Sequence, residues 1–338
     1  MNAPTVSVLV ATHRDLPLLE RALAGLRTIE DPAIELVIVN NDPDQDVVAW
    51  SKKRCPDAVV IDMHYDAGYA RAMNRAIEAS SGEFVLLLDS DLFLDADYIH
   101  ELLRALTEHP SAGCVGGKLR RYDLARDEPT PIIDSAGLRL GRNRRSIARL
   151  EGQPLSNLSA PQDEQVFGVD GAGMMLRREA LRDVCLDGEY FDESFFMYKE
   201  DIDLCWRLRL LGWEIWWIPN AEGLHGRSSK GLSDQNYVLN ARAFHKNEQR
   251  KSQLARLHSM KNQWLMLLKN EDASNILRDF PFIAGREVLV LLYNSVFAPR
   301  TLTAVAEFAR SYPKARANRK AIQARRGVSA SAFRRWLG

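Results

Sequence analysis

Phe84-Val85-Leu86-Leu87-Leu88 runs directly into Asp89-Ser90-Asp91. The apolar run predicts a buried strand, and the strand ends on two carboxylates at positions i and i+2. Alternate residues of an extended chain share a face, so both carboxylates can look into one site. Anionic oxygens arranged this way suit a hard divalent cation, Mg2+ or Mn2+, of the kind that carries substrate phosphates. Taken alone, the pair is equally an ordinary strand-end turn. Its weight comes from a second acidic cluster much further along, Glu200-Asp201-Ile202-Asp203. That cluster opens a predicted helix, where the macrodipole favours negative charge and first-turn acids are common.

The elements that must position these groups follow from hydrophobic periodicity. Val6 to Ala11, Ile34 to Val39, Val59 to Ile61 and Phe84 to Leu88 predict strands. Between them, Leu16, Leu19, Leu23 and Leu26 recur at helical spacing and Tyr69 to Ser80 predicts a helix stopped by Gly82; after the fourth strand, Asp97 to Glu108 predicts a helix closed by Pro110. Strand–helix alternation of this kind implies a mostly parallel, Rossmann-like α/β sheet with helices on both faces. Ligands in such sheets sit beyond the carboxyl ends of the strands. Thr12-His13, Asn40-Asn41 and Asp89-Ser90-Asp91 all fall at those ends.

The middle of the chain is less regular. Ala112 to Leu119 and Pro131 to Leu140 read as strands, and Gly141 to Gln165, rich in Arg, Ser, Asn and Pro, as a loop. A strand resumes over Gln165 to Leu176, interrupted by Gly171-Ala172-Gly173, where small residues admit another backbone or a ligand. Glu200 to Leu211 reads as an amphipathic helix with an apolar stripe of Leu204, Leu208 and Leu211, stopped by Gly212. Asp203 reads as one of its first-turn acids. Residues 1–235 are expected to form the catalytic domain and 236–338 a helical extension. In that extension, helices run over Arg242 to Lys269 and from Gly285 onward, punctuated by Pro281, Pro299 and Pro313.

Composition narrows the function classes. The 45 basic residues balance 45 acidic ones, so no global field points to nucleic acid. Cys55, Cys114, Cys185 and Cys205 form no CxxC pair, which argues against zinc and fits a reducing cytosol. No membrane-spanning helix is expected. The nearest stretch, Phe280 to Phe297, contains Arg286 and Glu287. From Arg300 to the end, ten Lys or Arg residues face a single acid, Glu307. With the apolar Leu289, Leu291, Leu292, Val296 and Phe297 just before it, this tail suits an anionic membrane surface, and equally a solvated helical extension or an oligomer contact.

In order along the chain, these segments resemble the family-2 glycosyltransferases of GT-A fold, and within them the rhamnosyltransferase-like branch. The resemblance covers about residues 4 to 270. It rests on Val6 to Thr12, Asp66-Ala67-Gly68-Tyr69-Ala70 with Asn74, Leu88-Asp89-Ser90-Asp91, and Gly171 to Leu176 with Arg178. Its most specific segment is Phe191 to Arg207, and Pro219-Asn220-Ala221 with His225 completes the order.

What the resemblance implies is an inverting, metal-dependent transferase that moves a sugar from a nucleoside diphosphate, dTDP-L-rhamnose first and UDP- or GDP-sugars next. The acceptor would be a hydroxyl of a cell-envelope or lipid-linked glycan, at or near the inner face of the cytoplasmic membrane. Asp91 would hold the Mg2+ or Mn2+, with Asp89 and His225 as further contacts, and Asp201 would be the catalytic base with Glu200 as fallback. Thr12, Asn40, Asn41, Asp66, Gly68, Arg71, Asp89 and Ser90 would contact the donor; Asp170, Gly171, Ala172 and Trp206 would line the acceptor side. The chain departs from the family where Asn40-Asn41 replaces the usual Asp-Asn or Asp-Gly, where His13 and Arg14 replace Tyr and Asn, and where Asp66 replaces Asn. These departures bear on the nucleobase, although an Asn carbonyl can also accept an imide N–H. The alternative is a catalytically silent homologue that binds sugar nucleotide or glycan. A nucleotidyltransferase would need a Gly-rich loop that Ala11 to Pro17 does not have.

Overall fold

A computed structural model describes residues 6–13, 15–26, 32–158, 161–226, 245, 248–249 and 251–338. Arg14, the boundary at 235 and the expected helix start at Arg242 lie outside the described residues.

The first half alternates as its periodicity requires: β1 (Val6–Thr12), α1 (Leu16–Leu26), β2 (Ile34–Asn40), α2 (Val47–Arg54), β3 (Val59–Asp62), α3 (Tyr69–Glu78) and β4 (Phe84–Leu87). β4, β1, β2 and β3 lie parallel in that spatial order. Side-chain alternation on β1 divides the core into two. Val6, Val8 and Val10 pack with Leu19 and Leu23 of α1, whereas Leu9 packs with Ala70, Met73 and Ile77 of α3.

After β4 come β5 (Leu92–Leu94), α4 (Tyr98–Glu108), a long β6 (Ala112–Asp123), β7 (Glu128–Ser135), and the small pair β8 (Leu138–Leu140) and β9 (Ser146–Ala148). Among its described residues, the expected long loop carries only β9, one 3-10 turn and the two-residue β10 (Glu164–Gln165). Then follow β11 (Met174–Arg177), α5 (Arg178–Val184), α6 (Glu200–Leu211) and β12 (Glu214–His225). β11 inserts antiparallel between β4 and β6, and β12 runs parallel beside β6. Among the described residues the main sheet thus has ten strands and is mixed rather than purely parallel.

Helix α6 differs from its amphipathic expectation. Residues Ile202 to Leu210 are all buried, because the sheet lies on one side and the C-terminal helices on the other. The C-terminal helices are α7 (Gln253–Asn270), α8 (Ala273–Phe297) and α9 (Thr303–Arg325), of which α7 and α9 contact α6. Pro281 and Pro313 sit inside α8 and α9 rather than ending them. Both prolines are exposed, so the carbonyl deprived of its helical partner can turn to water.

Buried charge fixes the extension to the sheet domain. Lys269 of α7 donates to Asp192 at 2.7 Å and Asp203 at 3.0 Å, and Arg207 donates to Asp203 at 3.0 Å. Asp203 lies in the first turn of α6 as expected, and there it is a buried ionic partner of α7. Several cations of the basic tail are likewise used internally. Lys314 pairs with Glu189 at 2.6 Å, Arg326 with Asp272 at 2.8 Å and Arg334 with Asp279 at 3.1 Å. By length and composition alone α8 is long and apolar enough to cross a membrane, even with Arg286 and Glu287 in it, and most of its apolar stretch is exposed.

Candidate active site

Chain turns bring the two acidic clusters to one place. Past β4, the Asp89 N–H donates to the Ala172 carbonyl at 3.0 Å, and the Leu92 N–H donates back to the Asp89 carbonyl at 3.0 Å. β5 then pairs antiparallel with β12, placing Leu92 opposite His225, and the Gly226 N–H donates to the Asp91 carbonyl at 2.8 Å. On the other side, the 3-10 turn Gly171–Gly173 passes under the start of α6. A Cβ on Gly171 would meet the Asp201 Cβ at 3.1 Å, and the Gly171 N–H donates to the Asp201 Oδ2 at 3.3 Å.

The result is a cavity of about 400 Å³ whose lining includes Asp89, Ser90, Asp91, Asp170, Gly171, Ala172, Glu200, Asp201 and His225. Asp91 and Asp201 therefore open onto shared space. Its size matches ordinary small-molecule sites, roughly 300–1,000 Å³.

One carboxylate oxygen each from Asp89 and Asp91, with an imidazole nitrogen of His225, lie within 4.8 Å of one another. Two oxygens and one nitrogen at this spacing fit Mn2+ or Mg2+. Asp134 of β7 lies behind them, with no exposed surface, and its Oδ2 is 2.9 Å from the His225 Nδ1. That contact turns the Nε2 of His225 toward Asp91, 3.5 Å away. Arg121 bridges Asp134 and Glu151 at 3.3 and 3.2 Å. Without an ion the cluster is electrostatically loaded. Burial, then the neighbouring Asp91 charge, raises the Asp89 carboxyl to about 7. Burial opposes charge on His225, but hydrogen bonds to Asp134 and Asp91 outweigh it and raise its pKa to about 10.

The segment feeding α6 is strained. Phe196, Tyr198 and Lys199 have φ of 64°, 69° and 69°, conformations that cost non-glycine residues about 1–3 kcal/mol each. Phe196 has ψ of −68°, and the Met197 N–H donates to the Phe195 carbonyl at 2.7 Å, a γ-turn of the rare positive-φ kind. Met197, Tyr198 and Lys199 all line the cavity. Gly68, itself at φ +78°, leaves room for the turn: a Cβ there would sit 2.5 Å from the Phe196 ring.

Other expected positions lie elsewhere. Trp206 is fully buried and stacks on Phe333 at 5.6 Å between ring centroids, so it is a core residue and not an acceptor contact. It lies six residues past the start of α6, within the stretch Ile202 to Leu210 that is buried all round. Arg71 is outside the cavity lining and donates to Glu193 at 2.6 Å. Thr12, Asn40, Asn41, Asp66 and Gly68 form a connected set of turns beside the cavity. Thr12 donates to Asp15 at 2.6 Å, and the Asn41 amide donates to Asp66 at 3.1 Å. The Asn40 side-chain oxygen, expected to accept from a base, already accepts the Asp42 N–H at 3.1 Å, and the Asn41 side-chain oxygen accepts the Ala67 N–H at 2.8 Å. Asp15, Tyr69, Lys199 and Asp134 were not singled out from the sequence. Asp15 could have been noticed as an acid beside the β1 turn, and it accepts from both Thr12 and Ser90.

Residues 7–185 match the model of glycosyl transferase family 2. The chain belongs to this family. Among curated relatives, the family-2 chain is 29% identical over 245 residues to an N-acetylglucosaminyl-diphospho-decaprenol L-rhamnosyltransferase of Mycobacterium tuberculosis, covering 65% of this chain and 76% of that protein. Its fold is GT-A-like. Among solved structures it resembles GalNAc-T7 with UDP, GalNAc and Mn2+ at a TM-score of 0.58 and 14% identity, over 79% of this chain and about half (48%) of that one. It also resembles the mannosyltransferase PcManGT of Pyrobaculum calidifontis with GDP-Man and Mn2+, at 0.50 and 15% identity, over 96% and 86% of the two chains.

Proposed function

We propose that this family-2 glycosyltransferase is inverting and metal-dependent, and that it moves L-rhamnose from dTDP-L-rhamnose to a hydroxyl of a lipid-linked cell-envelope glycan. The observation that carries the reading is the shared cavity of Asp91 and Asp201. Asp91, Asp89 and His225 are the residues that would hold Mn2+ or Mg2+, and the ion when bound neutralises charge on the departing diphosphate. Asp201 takes the proton of the acceptor hydroxyl, with Glu200 beside it as the fallback. Its Oδ2 is oriented by the Gly171 N–H and its Oδ1 by the Ile202 N–H at 2.8 Å. Asp170, Gly171 and Ala172 form the wall along which the acceptor approaches. The rhamnosyl donor and the lipid-linked acceptor are carried over from the mycobacterial relative.

A peripheral contact with the inner face of the cytoplasmic membrane fits helix α8 better than the basic tail alone. Leu277 and Phe280, three apart, and Val288, Leu292 and Val296, four apart, are exposed along it, with Phe297 beside the last. An apolar face of this extent on a polar protein marks a lipid or protein contact.

The deciding experiment incubates the full chain with dTDP-, UDP- and GDP-sugars and a polyprenyl-diphosphate acceptor, with Mn2+ or with EDTA. Transfer from dTDP-L-rhamnose that EDTA abolishes, with inverted anomeric configuration by NMR, is the expected result. Retention of configuration, or full activity in EDTA, would overturn the mechanism; turnover of a GDP-sugar alone would overturn the donor.

A further inference from the structure

The strained run Phe196–Lys199 delivers Glu200 and Asp201 into the cavity, and something must hold it there. Its carbonyls are taken one after another. The Phe196 carbonyl accepts from the Ala70 N–H at 3.1 Å and the Lys199 carbonyl from the Asp203 N–H at 2.9 Å. A further set of contacts comes from a single stretch of α7. Asn262, fully buried, directs its amide at three carbonyls: Phe195 at 3.0 Å, Met197 at 2.8 Å and Tyr198 at 2.7 Å. On either side of it, Lys261 donates to the Ser194 carbonyl, and the Lys199 ammonium donates to Gln263 at 2.7 Å. One turn earlier, His258 stacks on the Phe196 ring at 5.0 Å and 19°. Conformations of this kind persist only when their surroundings over-determine them.

We infer that Asn262 is a positioning residue for the acidic pair Glu200–Asp201, so that α7 is a working part of the active site and not an appended helix. The inference rests on the reading of Asp201 as the base. Asn262 touches neither donor nor acceptor in this account. It fixes the backbone from which α6 starts, and thereby the direction of the Asp201 carboxylate. A carboxylate at 262 could not substitute, since it has no N–H to offer and would face three carbonyl oxygens.

The test compares Asn262→Ala and Asn262→Asp with Met266→Ala, a fully buried core change on the same helix. Hydrogen exchange followed by mass spectrometry reads the loop directly. Expected is an increase of about tenfold or more in amide exchange over residues 194–201 in both Asn262 variants, with β1 and β4 unchanged. With the donor found in the panel, kcat should fall about 10- to 100-fold while donor KM and Mn2+ affinity by EPR stay within about twofold. Met266→Ala should lower the melting temperature yet leave both loop exchange and kcat near wild type. If Asn262→Ala does not accumulate folded, Asn262→Ser, which keeps one donor, is read the same way, with smaller changes. Exchange over 194–201 no different from that of Met266→Ala, or a kcat loss that Met266→Ala reproduces, would overturn the inference. If no donor is turned over, the transferase reading fails by itself, and the exchange result still decides whether Asn262 holds the loop.

Discussion

His225 and Asp134 stand 2.9 Å apart, Nδ1 to Oδ2, with Asp134 sealed from solvent and the other imidazole nitrogen facing Asp91. A carboxylate on one ring nitrogen fixes the tautomer and raises the basicity of the other, an arrangement common behind metal-bound histidines. Asp134→Asn is therefore expected to weaken Mn2+ binding by about 10- to 100-fold, measured by EPR titration of the protein without substrate. Affinity within twofold of wild type would mean that His225 does not ligate the ion.

The same cluster sets a pH dependence. Metal ligands must be deprotonated, so bound protons compete with the ion. With the Asp89 carboxyl raised to about 7 and His225 to about 10, the metal-free site carries protons at neutral pH. Mn2+ binding should release protons, and apparent affinity should fall as pH drops through about 7. Calorimetry at pH 6.5 in buffers of different ionisation enthalpy measures the release directly. A binding enthalpy independent of buffer would contradict it.

Much of this was legible because strand–helix alternation and the Asp89–Asp91 spacing are local signals. Val6 to Thr12, Phe84 to Leu87 and the helices between them follow from periodicity alone. What was not legible depends on contacts between distant segments. Nothing in the sequence near residue 134 ties it to residue 225; the pairing of β7 on β6 and of β6 with β12 does so. Trp206 was misplaced, and the buried pairing of the first-turn acid Asp203 went unread, for one reason. A helix covered on both sides has no solvent face, so its charges must pair and its aromatic must pack. Asn262 sits in an unremarkable helical stretch, and only the positive φ of Phe196, Tyr198 and Lys199 shows why a buried amide is placed there.

Asp201→Asn keeps shape and hydrogen-bonding oxygen but removes the basic carboxylate. General-base catalysis contributes about 10²- to 10⁴-fold, and a loss in that range is expected in transfer rate. Donor and Mn2+ binding should stay within a few-fold, since Asp201 is not among the metal-cluster residues. Glu200→Gln should cost less. Should Glu200→Gln abolish transfer while Asp201→Asn retains it, the two roles are exchanged.

Lys269 is buried with Asp192 and Asp203, and its removal separates two effects that usually blur. Lys269→Met leaves both carboxylates without the ammonium, and breaking a buried pair in this way costs about 3–5 kcal/mol. Burial alone would raise the Asp192 pKa, yet Lys269, with Lys314 behind it, holds the carboxyl well below the ordinary range. A depressed carboxyl stabilises the fold fully above its unfolded pKa of about 4, and that contribution drains away as pH falls toward the folded value. Wild-type stability should therefore decline steeply below about pH 5, and Asp192→Asn should flatten that decline while lowering stability at pH 7. Urea unfolding at pH 3.5, 5 and 7 distinguishes the cases. A Lys269→Met protein as stable as wild type at pH 7 would mean that the cluster is hydrated in solution and does not hold α7 against α6.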